Sequence, residues 1–193
     1  MPPRLRRDAR RNRDRILDAA CRCFAAKGLD IGVDEIAEAA GVGVGTLYRH
    51  FPSKAALIRA IIERRLEELQ PAIDHALAAE DPGSGLVELV TAAVAQQIGD
   101  QALAQMVLSK AAPELFPESL RERFLGPLER LLARAQRAGQ VRGDISPADL
   151  PAILRMASAS ALPDGDGLTW RRYLRLLLDG LLARSRGGAL AGP

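Results

Sequence analysis

The sequence is short of several things, and each shortage narrows its class. Cysteine occurs twice, as Cys21 and Cys23. On a helix these two would project about 200° apart, too divergent to share a metal or bridge each other, so both are read as small core or surface residues. Histidine also occurs twice, and neither His50 nor His75 has a cysteine, serine or carboxylate motif beside it. There is no phosphate loop and no metal-ligand spacing, so neither catalysis nor a resident metal or cofactor is expected. No apolar run reaches the roughly 18 residues that span a bilayer. The N-terminal arginines are not followed by the apolar segment of a secretory signal. No membrane partner is expected, and a cytoplasmic location follows by exclusion. Alternating polar–apolar stretches and internal repeats are missing as well, which leaves no case for a sheet or a solenoid.

What is present describes a soluble globular chain of 193 residues, 48% hydrophobic and 26% charged. That length supports one good core, or a small module with a larger domain. The net charge is only +3, but residues 1–15 hold seven arginines against two aspartates, a local +5, and the remainder sums to −2. A basic end on a near-neutral body suits a polyanion; a disordered solubilising tail has the same composition.

The stretch Val33–Lys54 organises the chain. Ile36, Ala37 and Ala40 form one apolar stripe of a short helix, and Gly41 can take the left-handed conformation that ends it. Val42, Leu47 and Phe51 give a second stripe. Ala37, Gly41 and Leu47 have the spacing of a helix-turn-helix, in which a small residue, a turn glycine and an apolar residue let the second helix pack on the first. Val44, Gly45, Thr46, Tyr48, Arg49 and His50 are left facing outward. Upstream, a helix starting near Arg13 carries Ile16, Ala20 and Phe24 and stops at Lys27–Gly28. Asp34 and Glu35 suit the first turn of the second helix. The core of the module is expected to be Ile16, Ala20, Phe24, Ile36, Leu47 and Phe51.

Ser53 can cap a long helix running through Leu57, Ile61, Leu66 and Leu69, which Pro71 is expected to end or kink. Further helical patterns cover 85–98, 100–110 and 117–138, the last with a kink expected at Gly126–Pro127 and a stop at Gly139. Ser146–Pro147 starts another helix, and a last one carries Trp170, Leu174, Leu177, Leu178 and Leu181. The fold class is all-α with about nine helices.

The run AGVGVGTLYRHFPSKAAL, preceded by ILDAACRCFAAKGLD, resembles the DNA-binding domain of the TetR family of one-component bacterial repressors. AGQVRGDISPADL and YLRLLLDGLL resemble the family's variable regulatory domain. The resemblance implies a homodimer through the last two helices, a palindromic double-stranded DNA operator, and release by a small-molecule effector. It divides the chain into a basic flexible arm (1–12), a helix-turn-helix DNA-binding domain (13–54), a ligand-binding and dimerisation domain (55–185) and a flexible tail (186–193). Thr46, Tyr48 and His50 match positions that usually contact phosphates, Lys54 one that meets the backbone, and Val44 and Gly45 ones that meet base edges. Gly32 departs from the pattern, standing where many members have a threonine that caps the second helix and touches a phosphate. Its backbone N–H could still serve there.

Val44 and Gly45 offer little hydrogen bonding, so base choice is expected to lean on Arg49, whose fork fits guanine O6 and N7. The arm arginines Arg4, Arg6, Arg7, Arg10 and Arg11 could follow the minor groove or the phosphates. The small residues from Ala157 to Ala161 suit a close helix pair at a dimer interface. Leu89, Gln97, Gln101, Met106, Phe116, Phe124, Met156 and Trp170 are the candidate effector contacts. Apolar walls with few polar groups predict a hydrophobic or aromatic effector. The rival reading is an architectural DNA-binding protein without an effector, whose affinity would be dominated by salt.

Overall fold

The computed structural model describes residues 3–108, 117–159 and 169–182, and within these the side chains of 3–9, 101, 105, 107–108, 157–159 and 169 fall outside the description. The helices are α1 (Pro3–Lys27), α2 (Val33–Ala40), α3 (Val44–His50), α4 (Lys54–Ala78), α5 (Pro82–Gly99), α6 (Gln101–Leu108), α7 (Glu118–Arg137), α8 (Leu150–Ala159) and α9 (Thr169–Leu181). A 3₁₀ turn at Pro147–Asp149 leads into α8. The extended pairing seen among the described residues is a single antiparallel bridge, Val141 with Leu182. No helix among them is long and apolar enough to cross a membrane.

The chain forms two compact units, one of residues 1–70 and 95–124 and the other of residues 71–94 and 125–193. In the first unit α1 buries Ile16, Leu17, Ala20 and Phe24 completely. These fall on one helical stripe, and α2 and α6 pack against α1. The six expected core residues are all buried here, joined by Leu57, Ile61 and Ile62 of α4 and by Met106 of α6. Burying a side chain of this size stabilises by about 1.5–3 kcal/mol, so the shared apolar face is what holds these short helices.

Polar contacts then fix α4 within this unit. Arg64 donates to Asp18 of α1 at 2.7 Å. Its neighbour Arg65 donates from Nε to Asp100 at 2.6 Å and from Nη1 to Glu68 at 2.8 Å. Asp100 also caps α6, accepting from the Leu103 N–H at 3.1 Å. Two jobs on one half-buried carboxylate make Asp100→Ala costly, by about 2 kcal/mol in urea unfolding. Asp100→Asn keeps the cap and is expected to lose less than half as much. Equal losses for the two variants would assign the whole effect to the ion pair.

Helix limits differ from expectation at two places. Helix α1 begins at Pro3, so most of the segment expected as a flexible arm is helical. Arginine is a good helix former, and extension from a helix already docked through Ile16–Phe24 needs no new nucleus. Proline is tolerated in a first turn. Of the end or kink expected at Pro71, the end does not occur, and helix α4 runs to Ala78. Ile73 and Ala76 are buried beyond the proline, and Arg134 donates to the Leu77 and Ala79 carbonyls at 2.7 and 2.9 Å. Packing and capping of the last turns offset the hydrogen bond that a proline removes, a loss of about 3 kcal/mol. Helix α7 runs unbroken through Gly126–Pro127, where the sequence leads one to expect a kink and not a stop.

The other stops fall where the sequence puts them. Gly28 and Gly139 have positive φ, 80° and 69°. Ser146 and Asp149 close a reciprocal capping box ahead of α8.

Candidate nucleic-acid interface

The turn between α2 and α3 is set by Gly41, at φ 62° and ψ 39°. Its N–H donates to the Glu38 carbonyl at 2.9 Å, and the Val42 N–H to the Ala37 carbonyl at 3.0 Å. These two bonds satisfy carbonyls that the end of α2 would leave open. A Cβ on Gly41 would also lie 2.8 Å from the Arg15 guanidinium. Gly43 then caps α3, its carbonyl accepting from Thr46 and Leu47 at 2.8 and 3.1 Å.

Helix α3 has only seven residues, of which Leu47 is buried. Val44 and Tyr48 are 37% and 46% exposed. Gly45 and Arg49 are exposed as well, whereas Thr46 and His50 are half-buried. A single apolar anchor therefore turns the remaining side chains outward. Nothing lies within 4 Å of where a Gly45 Cβ would be, so this glycine leaves open space rather than making a tight packing contact. Lys54 is half-buried at the first turn of α4, where Ser53 caps by accepting the Ala56 N–H at 3.1 Å.

The face is cationic. No acid lies in the first turn of α3, and Arg49 and His50 occupy its last turn. Arg13 of α1 places its guanidinium 5.4 Å from the Phe51 ring centroid, and the His50 ring is tilted against the same phenylalanine. Arg13 was not singled out by sequence reasoning, because it sits outside the helix-turn-helix and its neighbourhood is set only by how α1 packs. Arg10 and Arg11 are exposed; the side chains of Arg4, Arg6 and Arg7 lie outside the described residues.

Gly32 caps α2 with no side-chain bond. The Glu35 carboxylate lies near this cap, and its pKa is held low chiefly by the Lys27 ammonium.

The candidate effector contacts are divided between the units. Met106 belongs to the core of the first and Phe124 packs half-buried against it, and Gln97, also in the first, is buried. Leu89 and Trp170 are buried in the second, while Met156 is 53% exposed. The side chain of Gln101 and all of Phe116 lie outside the described residues, as do the side chains of the small run from Ala157 to Ala161. No groups of three or more His, Cys, Asp or Glu side chains that could hold a metal occur among the described residues. Both cysteines are free and half-buried, and burial pushes the Cys21 thiol pKa upward.

Comparison with known proteins gives this geometry a context. Residues 16–61 match the family described as bacterial regulatory proteins, tetR family. Residues 81–183 match the transcriptional regulator SbtR-like, C-terminal domain. An HTH-type transcriptional regulator of Staphylococcus aureus (strain USA300) is 42% identical over 64 residues, 33% of this chain and 35% of that protein. The match thus spans about a third of the length of the curated relatives. The crystal structure of a TetR transcriptional regulator from Streptomyces coelicolor is similar with 33% identity and a TM-score of 0.58, covering 88% of this chain and 98% of that one. A TetR transcription regulatory protein from Mycobacterium vanbaalenii is 38% identical with a TM-score of 0.52, covering 93% and 99%.

Proposed function

The chain belongs to the TetR family of bacterial transcriptional regulators, and from that premise we propose that it is a repressor that binds a palindromic operator as a homodimer and releases it to a small, mainly hydrophobic effector. The observation that carries the DNA half is α3 itself. One buried leucine anchors it while Val44, Tyr48 and Arg49 stand exposed and Gly45 leaves the backbone bare. In this reading Thr46, Tyr48, His50 and Lys54 hold phosphates and fix register, Val44 and Gly45 approach the groove floor, and Arg49 reads a base. Residues 13–54 form the DNA-binding domain, and 55–185 serve ligand binding and dimerisation.

The dimer is supported by apolar residues that the second unit leaves uncovered. Tyr173 and Leu176 of α9 are 46% and 59% exposed, and so is Met156 of α8 at 53%. Exposed side chains of this size on adjacent helices suit a self-complementary interface. Two recognition helices would then be presented about one DNA turn apart, or a multiple of it. For the effector to empty the operator it must prefer the DNA-incompetent conformer by about 10⁴-fold. The stretch of α4 from 54 to 69 is the lever in this account, since Arg64 and Arg65 couple it to α1 and to the start of α6.

A footprint on the DNA flanking the protein's own gene tests this reading. A protected inverted repeat is expected, and diffuse protection would favour the architectural rival. Arg49→Ala should weaken the cognate site by about 10–100-fold in fluorescence anisotropy, as loss of one bidentate base contact does. Binding to scrambled DNA should hardly change. An equal loss on both sequences would make Arg49 a phosphate contact.

A further inference from the structure

Helix α9 carries more cationic charge than its packing requires. Trp170, Leu174 and Leu178 recur every four residues and are buried in the second unit, which suffices to dock the helix. Arg171, Arg172 and Arg175 lie between them and are exposed. With Val87 and Thr91 of α5 and with Leu182, these side chains line an open groove of about 520 Å³, a size within the roughly 300–1,000 Å³ of small-molecule sites. Asp179 is the one acid among its described lining residues, so the rim has a clear positive excess over an apolar floor. The Arg171 guanidinium carbon lies over the Trp170 ring, 4.8 Å from its centroid, a cation–π distance.

We infer that this groove binds a small amphiphilic anion: an apolar chain or ring bearing one carboxylate or similar acid group. The body lies on Leu174, Leu178 and the Trp170 ring, and the acid group meets the arginine rim. A planar fork is the geometry that takes a carboxylate by two parallel hydrogen bonds. The claim concerns binding, and goes beyond the regulatory reading without depending on it.

A second copy of the chain fits the groove poorly. In a two-fold contact the same patch meets itself, which would set these arginines against their own copies. On ideal helical geometry the exposed Tyr173 projects about 100° or more away from each of the three arginines, and the exposed Leu176 about 140° and 100° away from Arg171 and Arg175 but only about 40° from Arg172. Arg172 therefore borders the apolar face of α9, and Arg171 and Arg175 lie away from it.

Trp170 is the only tryptophan in the sequence, so its emission reports on the groove directly. The full chain is titrated with octanoate and, separately, with octanol, which has the same chain length and no charge. Octanoate should change the emission saturably and bind about tenfold more tightly than octanol, the increment of one charge-assisted contact. The variant carrying Arg172→Gln and Arg175→Gln keeps Arg171 over the Trp170 ring and the apolar floor, and its thermal melt should match that of the unmodified chain. In it the preference for the acid should shrink severalfold. No saturable change, equal affinity for acid and alcohol, or a preference that survives the double substitution would each overturn the assignment. So would an emission change that follows dimer dissociation in sedimentation rather than octanoate. Operator binding in the presence of octanoate is scored apart; it bears on the effector reading alone.

Discussion

Leu47→Ala lowers the stability of the first unit by about 3 kcal/mol and the affinity for operator DNA by about hundredfold. The size follows from how little else holds α3. Leu47 is 1% exposed, and a helix of seven residues is far below the roughly 12–15 residues at which an isolated helix becomes marginal in water. Its register comes from that one anchor, from the Gly43 carbonyl at its start, and from the Phe51 N–H that returns to the Leu47 carbonyl at 2.8 Å. Alanine keeps the backbone bonds and removes the packing, so the helix forms but docks poorly. Only the docked fraction can meet DNA, and the apparent affinity falls with it. Urea unfolding followed by circular dichroism gives the first number and anisotropy with labelled operator the second. A variant with lowered stability and unchanged affinity would show that α3 does not present the DNA-reading face.

The features most legible in the sequence are those in which one residue type has one physical job. Gly41 was readable because a left-handed position after Ala40 favours glycine, and Ser53 and Ser146 because a hydroxyl before a helical run can accept its first N–H groups. The core of the first unit was readable for a similar reason, since Ile16, Ala20 and Phe24 repeat at helical spacing. What stayed hidden depends on neighbours distant in the chain. Nothing local says that Arg64 faces Asp18 or that Arg65 faces Asp100, 46 and 35 residues away. Pro71 reads locally as a stop or a kink; the stop is overridden with the help of Arg134, which reaches the end of α4 from α7. The outward residues of α3 could be named in advance because burying Leu47 fixes which way the others point. The groove beside α9 could not, because it needs Val87 and Thr91 from α5 as well as the helix that carries the arginines.

Gly85→Ala tests a close approach of that long-range kind, and the expected sign is the reverse of the local rule. Within a helix, alanine is favoured over glycine by about 1 kcal/mol, so local propensity alone predicts a gain. Gly85 lies inside α5, in the second unit, where α4 passes so close that a Cβ would sit 2.6 Å from the Ala76 carbonyl oxygen. It would also press on Ala79 Cβ and Leu131 Cδ2, both at 3.2 Å. The nearest obstacle is backbone, which cannot rotate away as a side-chain tip can. The helices must separate, and overpacking of this kind costs about 1–3 kcal/mol. A net loss of about 2 kcal/mol is therefore expected in urea unfolding. Gly180→Ala supplies the comparison. It lies inside α9 in the same unit, with nothing within 4 Å of its Cβ position, so propensity should act alone and stabilise by up to about 1 kcal/mol. Opposite signs for one substitution at two helical glycines would place the effect in the contact of α4 with α5. Gains at both sites would mean that the two helices stand further apart than this geometry requires, and that Gly85 is free to change.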